Sequence, residues 1–194
     1  GCDTDRLKEE KNRGLSINLG FAACRLSSDR LVGIIDVPGH KDFIRNMVAG
    51  ASSMDILMLI VAADDSIMPQ TREHLQIISL LRKPKLMIVV TKTDLVDEQF
   101  LGLVKEELTE FSEDLGYPDA PIISVSNKTF VGIPKVREKL DQMVDEVKSK
   151  PDSRAFRMNI ERVFAVKGFG TVITGIPISG TVGIGDKVKI LPDD

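Results

Sequence analysis

The chain has 194 residues, of which 42% are hydrophobic and 28% charged, enough core material for one full α/β domain and part of a second. With 26 basic against 29 acidic side chains the net charge is −3, which excludes a protein that coats polyanions by bulk charge. Cys2 and Cys24 form no Cys-x-x-Cys spacing, the start is charged (Asp3, Asp5, Arg6, Lys8, Glu9 and Glu10), and the longest apolar run, residues 56–63, is far short of the ~20 residues that cross a bilayer. Reduced thiols, a cytoplasmic location and no membrane segment are therefore expected.

In chain order, residues 1–15 are a mixed charge run closing on Arg13-Gly14-Leu15. Ile17, Leu19, Phe21 and Ala23 then alternate with Asn18 and Gly20, the period of a half-buried strand that begins at Ser16. Ser27-Ser28-Asp29 turns the chain into a second strand, so the two predict a hairpin. Leu31, Val32, Ile34 and Ile35 lead to Asp36-Val37-Pro38-Gly39-His40, and a helix follows through Phe43, Ile44 and Met47. The continuous apolar runs at 56–61 and 86–90 read as strands covered on both faces. The first ends at Asp64-Asp65, the second at Thr91-Lys92-Thr93-Asp94. Helices are predicted after Pro69 and over 101–115 and 133–147, where apolar residues recur at steps of three and four. A short strand at 122–125 leads to Ser126-Asn127-Lys128. Strands alternating with helices predict a parallel sheet flanked on both faces.

Composition shifts at Lys150-Pro151-Asp152-Ser153, which reads as a linker over 151–155 between a domain at 1–150 and a second at 156–194. The second carries only short segments broken by glycines, at 156–166, 171–178, 181 onward and 187–191. Gly168-Phe169-Gly170 and Gly183-Ile184-Gly185-Asp186 read as hairpin turns.

Three polar loops follow strands, and parallel strands predict that they share one edge of the sheet. The chemistry of each suits a nucleotide. Asp36 is a carboxylate able to hold Mg²⁺ through water. Gly39 allows a backbone N–H close to a phosphate oxygen, and His40 is placed to orient an attacking water. Asp94 is able to accept both the ring N–H and the exocyclic amine of guanine, a donor pair that adenine lacks. The stem of Lys92 suits the base plane, and Ser126 with the Asn127 N–H suits the guanine carbonyl. His74 reads as a surface or packing residue, the acidic run Glu106, Glu107, Glu110, Glu113 and Asp114 as a solvated helix face, and the methionines as core.

Arg13-Gly14-Leu15-Ser16-Ile17, Asp36-Val37-Pro38-Gly39-His40, Thr91-Lys92-Thr93-Asp94 and Ser126-Asn127-Lys128 stand in the order and spacing of translational GTPases of the elongation factor Tu type, which the chain resembles over essentially its whole length. More narrowly, the stretch from Glu9 to Ala22, Met68-Pro69-Gln70-Thr71-Arg72-Glu73-His74-Leu75 and Lys167-Gly168-Phe169-Gly170-Thr171 resemble the selenocysteine-specific branch of that family. The resemblance implies that residues 3–16 are the first switch, that Ser16 supplies a hydroxyl to Mg²⁺, and that Leu15 is one wing of an apolar gate beside His40. It also implies that Thr91 and Asp94 belong to the guanine box, that an ordered switch is lost on hydrolysis, and that Arg162 with Glu161 lies in a pocket for the charged amino acid.

Some positions depart from the family pattern. Thr91 stands where asparagine is usual, and Asn127 where alanine is usual. No Gly-x-x-x-x-Gly-Lys-[Ser/Thr] and no Gly-Lys dipeptide occurs in the chain. The expectation is therefore a P-loop GTPase-like α/β domain lacking its first strand and P-loop, followed by the start of a β-barrel, a fragment that is inactive and weakly nucleotide-binding by itself. The function implied is GTP hydrolysis to GDP, with Mg²⁺, in delivering selenocysteinyl-tRNA to the ribosome. The expected protein is monomeric, and it meets a selenoprotein mRNA hairpin through C-terminal domains absent from this sequence. The alternatives are a general aminoacyl-tRNA or initiator-tRNA carrier, and, in another class, a non-hydrolysing GTPase-like binding module.

Overall fold

In the computed structural model, which describes residues 16–51, 54–81, 83–147, 154–160, 162–175 and 177–192, the chain divides into two units, Gly1–Val147 and Lys148–Asp194. The first unit opens with an antiparallel hairpin of β1 (Gly20–Arg25) and β2 (Leu31–Asp36), with Gly20 opposite Asp36. One 3-10 turn, Lys41–Phe43, leads into α1 (Ile44–Ala51). Strand β3 (Ile56–Ala62), α2 (Pro69–Leu81), β4 (Lys85–Thr91), α3 (Glu98–Asp114), β5 (Ile122–Ser124) and α4 (Ile133–Glu146) follow. Strands β3, β4 and β5 form a parallel sheet in that order, with Ala62 level with Thr91 and Val90 level with Ser124.

The pleat of β4 sorts its side chains into two cores. Leu86, Ile88 and Val90 pack with Met47 of α1, Leu75 and Ile78 of α2, and Val104, Leu108 and Phe111 of α3. Met87 and Val89 point the other way, against Val125, Met143 of α4, and the flanking Ile133, Val136 and Leu140. Both faces of β4 are thus covered, as expected of its continuous apolar run, whereas β3, expected to be covered likewise, leaves Met58 and Ile60 exposed on one face, Ile60 by 54%. Each fully buried side chain of this kind, such as Ile88 or Leu108, stabilises the fold by about 1.5–3 kcal/mol. Among the described methionines Met47, Met87 and Met143 are core, whereas Met58 and Met68 are exposed.

The hairpin is tied in at both ends. At its tip the Asp141 carboxylate of α4 accepts the Ser27 and Ser28 N–H groups at 3.3 and 3.4 Å and the Ser28 hydroxyl at 3.0 Å. Arg30 pairs with Asp145 at 3.0 Å. At its open end α1 presses on it: a Cβ added at Gly50 would stand 2.9 Å from Leu19 Cδ2 and 3.1 Å from Val37 Cγ1. Asn46 Nδ2 also donates to the Ile17 carbonyl at 2.8 Å, which fastens residues 16–18 to α1.

The sequence expectation needs two corrections here. Strand β1 begins at Gly20 rather than Ser16, because its partner ladder runs out at Asp36 and Pro38 has no N–H with which to prolong it. The three polar loops do not all leave one parallel sheet. Those after β4 and β5 do, but β2 belongs to a separate antiparallel hairpin, the only pairing a short turn permits.

In the second unit β6 (Arg157–Met158) pairs with β9 (Pro177–Ser179), and β7 (Arg162–Val166) with β8 (Gly170–Thr174), both antiparallel. Among its described residues there is no helix. Residues 181–192 hold a turn in which the Gly183 N–H donates to Asp186 Oδ2 at 2.8 Å, but the strands expected at 181 onward and 187–191 are not formed. Val188 and Ile190 are each 57% exposed there, so the alternation has no ladder partner to make it a strand.

Candidate functional site

The polar residues at the strand ends fall into two groups; the ends of β2, β3 and β4 rest on the larger core, and Ser126 follows Val125 of the smaller one. Val37 and Ile44 pack against the cluster that holds Leu57, Val61, Ile88 and Val90, so the loop after β2 and the ends of β3 and β4 share one foundation.

In the first group Asp36 closes β2, Pro38 is fully buried, and Gly39 is exposed with open space around its missing side chain. Burial of Pro38 pins the loop while Gly39 leaves its backbone approachable. The His40 ring is half-buried and lies 6.0 Å from the Phe43 ring. Its Nδ1 accepts the Asp42 N–H at 3.3 Å, which puts the proton of the neutral imidazole on Nε2. Asp42 Oδ2 stands 3.4 Å from the same Nδ1 and is the partner available when that nitrogen is protonated. Ser16 and Asp36 are both half-buried. Leu15, the rest of the expected first switch and Glu161 lie outside the described residues. Arg162 opens β7, its backbone opposite Thr174.

The second group is joined by direct bonds. Lys92 takes a left-handed backbone, φ 55°, and starts the 3-10 turn Thr93–Leu95 that raises Asp94 on the rim. The buried Ser126 hydroxyl donates to Asp94 Oδ1 at 2.6 Å and accepts the Thr129 N–H at 3.1 Å. That hydroxyl, with the Lys128 charge adding to it, holds the Asp94 carboxyl below its ordinary value. The single proton of Ser126 is therefore committed to Asp94, and the donor left for a base carbonyl is backbone, as at the exposed Asn127. Thr91 donates its hydroxyl to the Val61 carbonyl at 3.3 Å, a brace inside the β3–β4 ladder.

Two residues that the sequence reading did not single out complete this group. Thr93 places both its N–H and its hydroxyl on the Val125 carbonyl, at 3.3 and 3.1 Å, and so locks the β4 loop to the end of β5. Asp64 receives the Lys92 ammonium at 3.0 Å and, with Asp65 at 3.6 Å, raises its pKa. A signal for Asp64 was present in the sequence, a carboxylate pair directly after a buried strand.

A cavity of about 560 Å³ opens between the β1–β2 turn and α4, lined by Ser27, Ile133, Arg137, Asp141 and Asp145. It holds none of the residues in either group. His74 on α2 is half-buried, and burial pushes its imidazole below the ordinary value, in line with a packing role. Among the described residues no three His, Cys, Asp or Glu gather as a metal cage, and no helix is long and apolar enough to cross a membrane.

The family model for the elongation factor Tu GTP binding domain matches residues 2–146. The chain is 45% identical over 99% of its length to a selenocysteine-specific elongation factor of Desulfomicrobium baculatum, and 40% identical over 97% to that of Escherichia coli K12. It spans 30% of the length of each of those relatives. Elongation factor 1-alpha of Thermococcus kodakarensis is 36% identical over 97% of the chain, which covers 46% of that protein. Among solved structures a bacterial selenocysteine-specific elongation factor superposes on 95% of the chain, and the chain on 32% of it, with a TM-score of 0.89 and 38% identity. Elongation factor SelB from Methanococcus maripaludis, in complex with the GTP analogue GppNHp, superposes on 91% of the chain, and the chain on 39% of it, with a TM-score of 0.83 and 27% identity.

Proposed function

Because the chain belongs to the elongation factor Tu GTP-binding family, we propose that its strand-end loops hold a guanine nucleotide and that the full-length protein hydrolyses GTP while delivering selenocysteinyl-tRNA to the ribosome. One observation carries the guanine reading: the Asp94 carboxylate is fixed on the rim, ionised, by the buried Ser126 hydroxyl at 2.6 Å. An ionised acceptor pair held rigid matches the two N–H donors of guanine and leaves adenine unmatched. The Asn127 N–H meets the base carbonyl, and the Lys92 stem covers the base plane.

At the other end Gly39 offers its N–H to the terminal phosphate, and His40 orients the attacking water by donating from Nε2, the nitrogen that Asp42 leaves with the proton. Ser16 and Asp36, a hydroxyl and a carboxylate, fit Mg²⁺, which takes one or two protein oxygens beside phosphate and water. When bound, that ion neutralises phosphate charge. Residues 3–16 with Leu15 serve as the switch and its gate.

The cargo reading rests on identity along the whole chain, 45% with a selenocysteine-specific factor against 36% with elongation factor 1-alpha. In it residues 1–150 are the G domain, 151–155 the linker, and 156–194 the start of the second, barrel domain, whose Arg162 and Glu161 line the aminoacyl pocket. An anionic selenolate suits an arginine. Competition of selenocysteinyl-tRNA against seryl- and cysteinyl-tRNA for the GTP-loaded full-length protein tests this. Preference for selenocysteinyl-tRNA by at least about tenfold, the worth of one good charge-assisted contact, is expected. Equal binding of all three returns the general-carrier reading.

A further inference from the structure

Strands β3 and β4 run parallel with Ala62 level with Thr91, and the Ala63 N–H donating to the Thr91 carbonyl at 2.9 Å carries the ladder one step further. By that register Lys92 lies level with Ala63, and Asp64 follows one residue beyond it, close enough for the Lys92 Nζ to donate to Asp64 Oδ2 at 3.0 Å.

Asp64 does not hang free. It sits in a tight turn in which the Asp65 and Ser66 N–H groups both donate to the Ala62 carbonyl, at 3.2 and 3.0 Å. Ser66, left-handed at φ 53°, donates its hydroxyl to Glu107 of α3 at 2.8 Å. Glu107 in turn pairs with Arg72 of α2 at 2.7 Å, and that guanidinium lies 5.0 Å over the Phe111 ring. The carboxylate is thus presented from a braced loop, while the Lys92 backbone is fixed at the opposite end by its own left-handed turn. A lysine anchored at Cα and at Nζ has its four methylenes stretched along the rim rather than sweeping through solvent.

We propose that Asp64 is a positioning residue of the guanine site, which holds the Lys92 stem extended so that its methylenes meet the purine already ordered; this rests on the guanine reading above. Ordering one long side chain before binding is worth about threefold to tenfold in affinity. The same pair contributes little to folding, since Lys92 is 48% and Asp64 33% exposed at the side chain. The effect of removing Asp64 therefore appears in nucleotide binding and not in melting temperature.

The test uses the full-length protein and its Asp64→Ala, Asp64→Glu, Lys92→Met and Asp64→Ala/Lys92→Met variants, with GDP and GTP affinities from fluorescent-nucleotide competition and melting temperatures alongside. Asp64→Ala is expected to weaken both nucleotides alike by about threefold to tenfold. Asp64→Glu should recover most of that, and Asp64→Ala should add nothing in the Lys92→Met background, all at unchanged melting temperature. Wild-type affinity in Asp64→Ala, or the same further loss on top of Lys92→Met, would overturn the proposal. So would a loss of affinity matched by a fall in melting temperature. If Lys92→Met and wild type bind GDP alike, the Lys92 side chain contributes nothing at the base and this inference fails; if Asp94→Asn also leaves GDP affinity unchanged, the guanine reading itself fails, a result distinct from failure of Asp64 alone.

Discussion

Ser126 shows how a single buried hydroxyl controls an exposed acid. It donates to Asp94 and accepts from Thr129, so it is saturated, and replacing it leaves the carboxylate unsupported. Ser126→Ala is expected to weaken GDP by about tenfold, the scale of one hydrogen bond to a charged group. The pH dependence has a definite sign. Asp94 is held below its ordinary value, so its ionised form and the stability linked to it are fully present above the unfolded carboxylate range, about 3.9, and are lost as pH falls through the lower folded value. Without Ser126 the folded value rises, so the acid limb of GDP binding in Ser126→Ala begins at a higher pH than in the parent. Binding titrations carried from neutral pH down to about pH 3 check this; coincident acid limbs contradict it. The Lys-x-Asp spacing was legible in the sequence because the two residues are neighbours in the chain. Their partners were not, because Asp64 and Ser126 are 28 and 32 residues away from them and only strand register brings them back.

Elements whose pattern is set by nearby residues were legible, as in the continuous apolar run of β4 and the apolar stripe of α4. The start of α3 was placed late: the Asp97 carboxylate, which accepts the Phe100 N–H at 2.7 Å, begins the helix at Glu98, ahead of the apolar stripe that opens at Leu101. The ends that depend on a distant partner were not legible, as at Ser16 and in 181–192. Gly132 illustrates an element start that no other residue type can supply. It caps α4 at φ +80°, and a Cβ there would stand 2.0 Å from the Ser124 carbonyl oxygen. The loop it closes is the one that holds Ser126, whose N–H donates to the Val131 carbonyl at 3.0 Å. Gly132→Ala is expected to cost at least about 2 kcal/mol of stability, from backbone strain plus displacement of β5. It should also lower GDP affinity, because Asp94 loses its fixed partner. Chemical denaturation checks the first effect and nucleotide titration the second; an unchanged unfolding midpoint contradicts the assigned geometry.

At the scale of the molecule, the first unit builds one parallel sheet whose central strand β4 is covered on both faces and seats an antiparallel hairpin beside it, so the loops after β2 and β4 rest on one core though they leave different sheets. The fold class was legible because buried parallel strands and amphipathic helices carry distinct periods. The β1–β2 hairpin was legible too, from its Ser27-Ser28-Asp29 turn; that β2 stands outside the parallel sheet was not, since hydrophobic pattern says which face is buried and not which strand lies alongside. The chain covers 30% of its selenocysteine-specific relatives, so its activity is a property to be measured on the full-length protein. The central claim is that Asp94 reads guanine, and exchanging its carboxylate for an amide tests it most directly. In Asp94→Asn one acceptor becomes a donor, which suits the 2-carbonyl of xanthine and mismatches the amine of guanine. The account predicts that the full-length variant loses GDP by about a hundredfold or more and gains xanthosine diphosphate in its place. A variant that keeps the parent's preference for GDP over xanthosine diphosphate would contradict it.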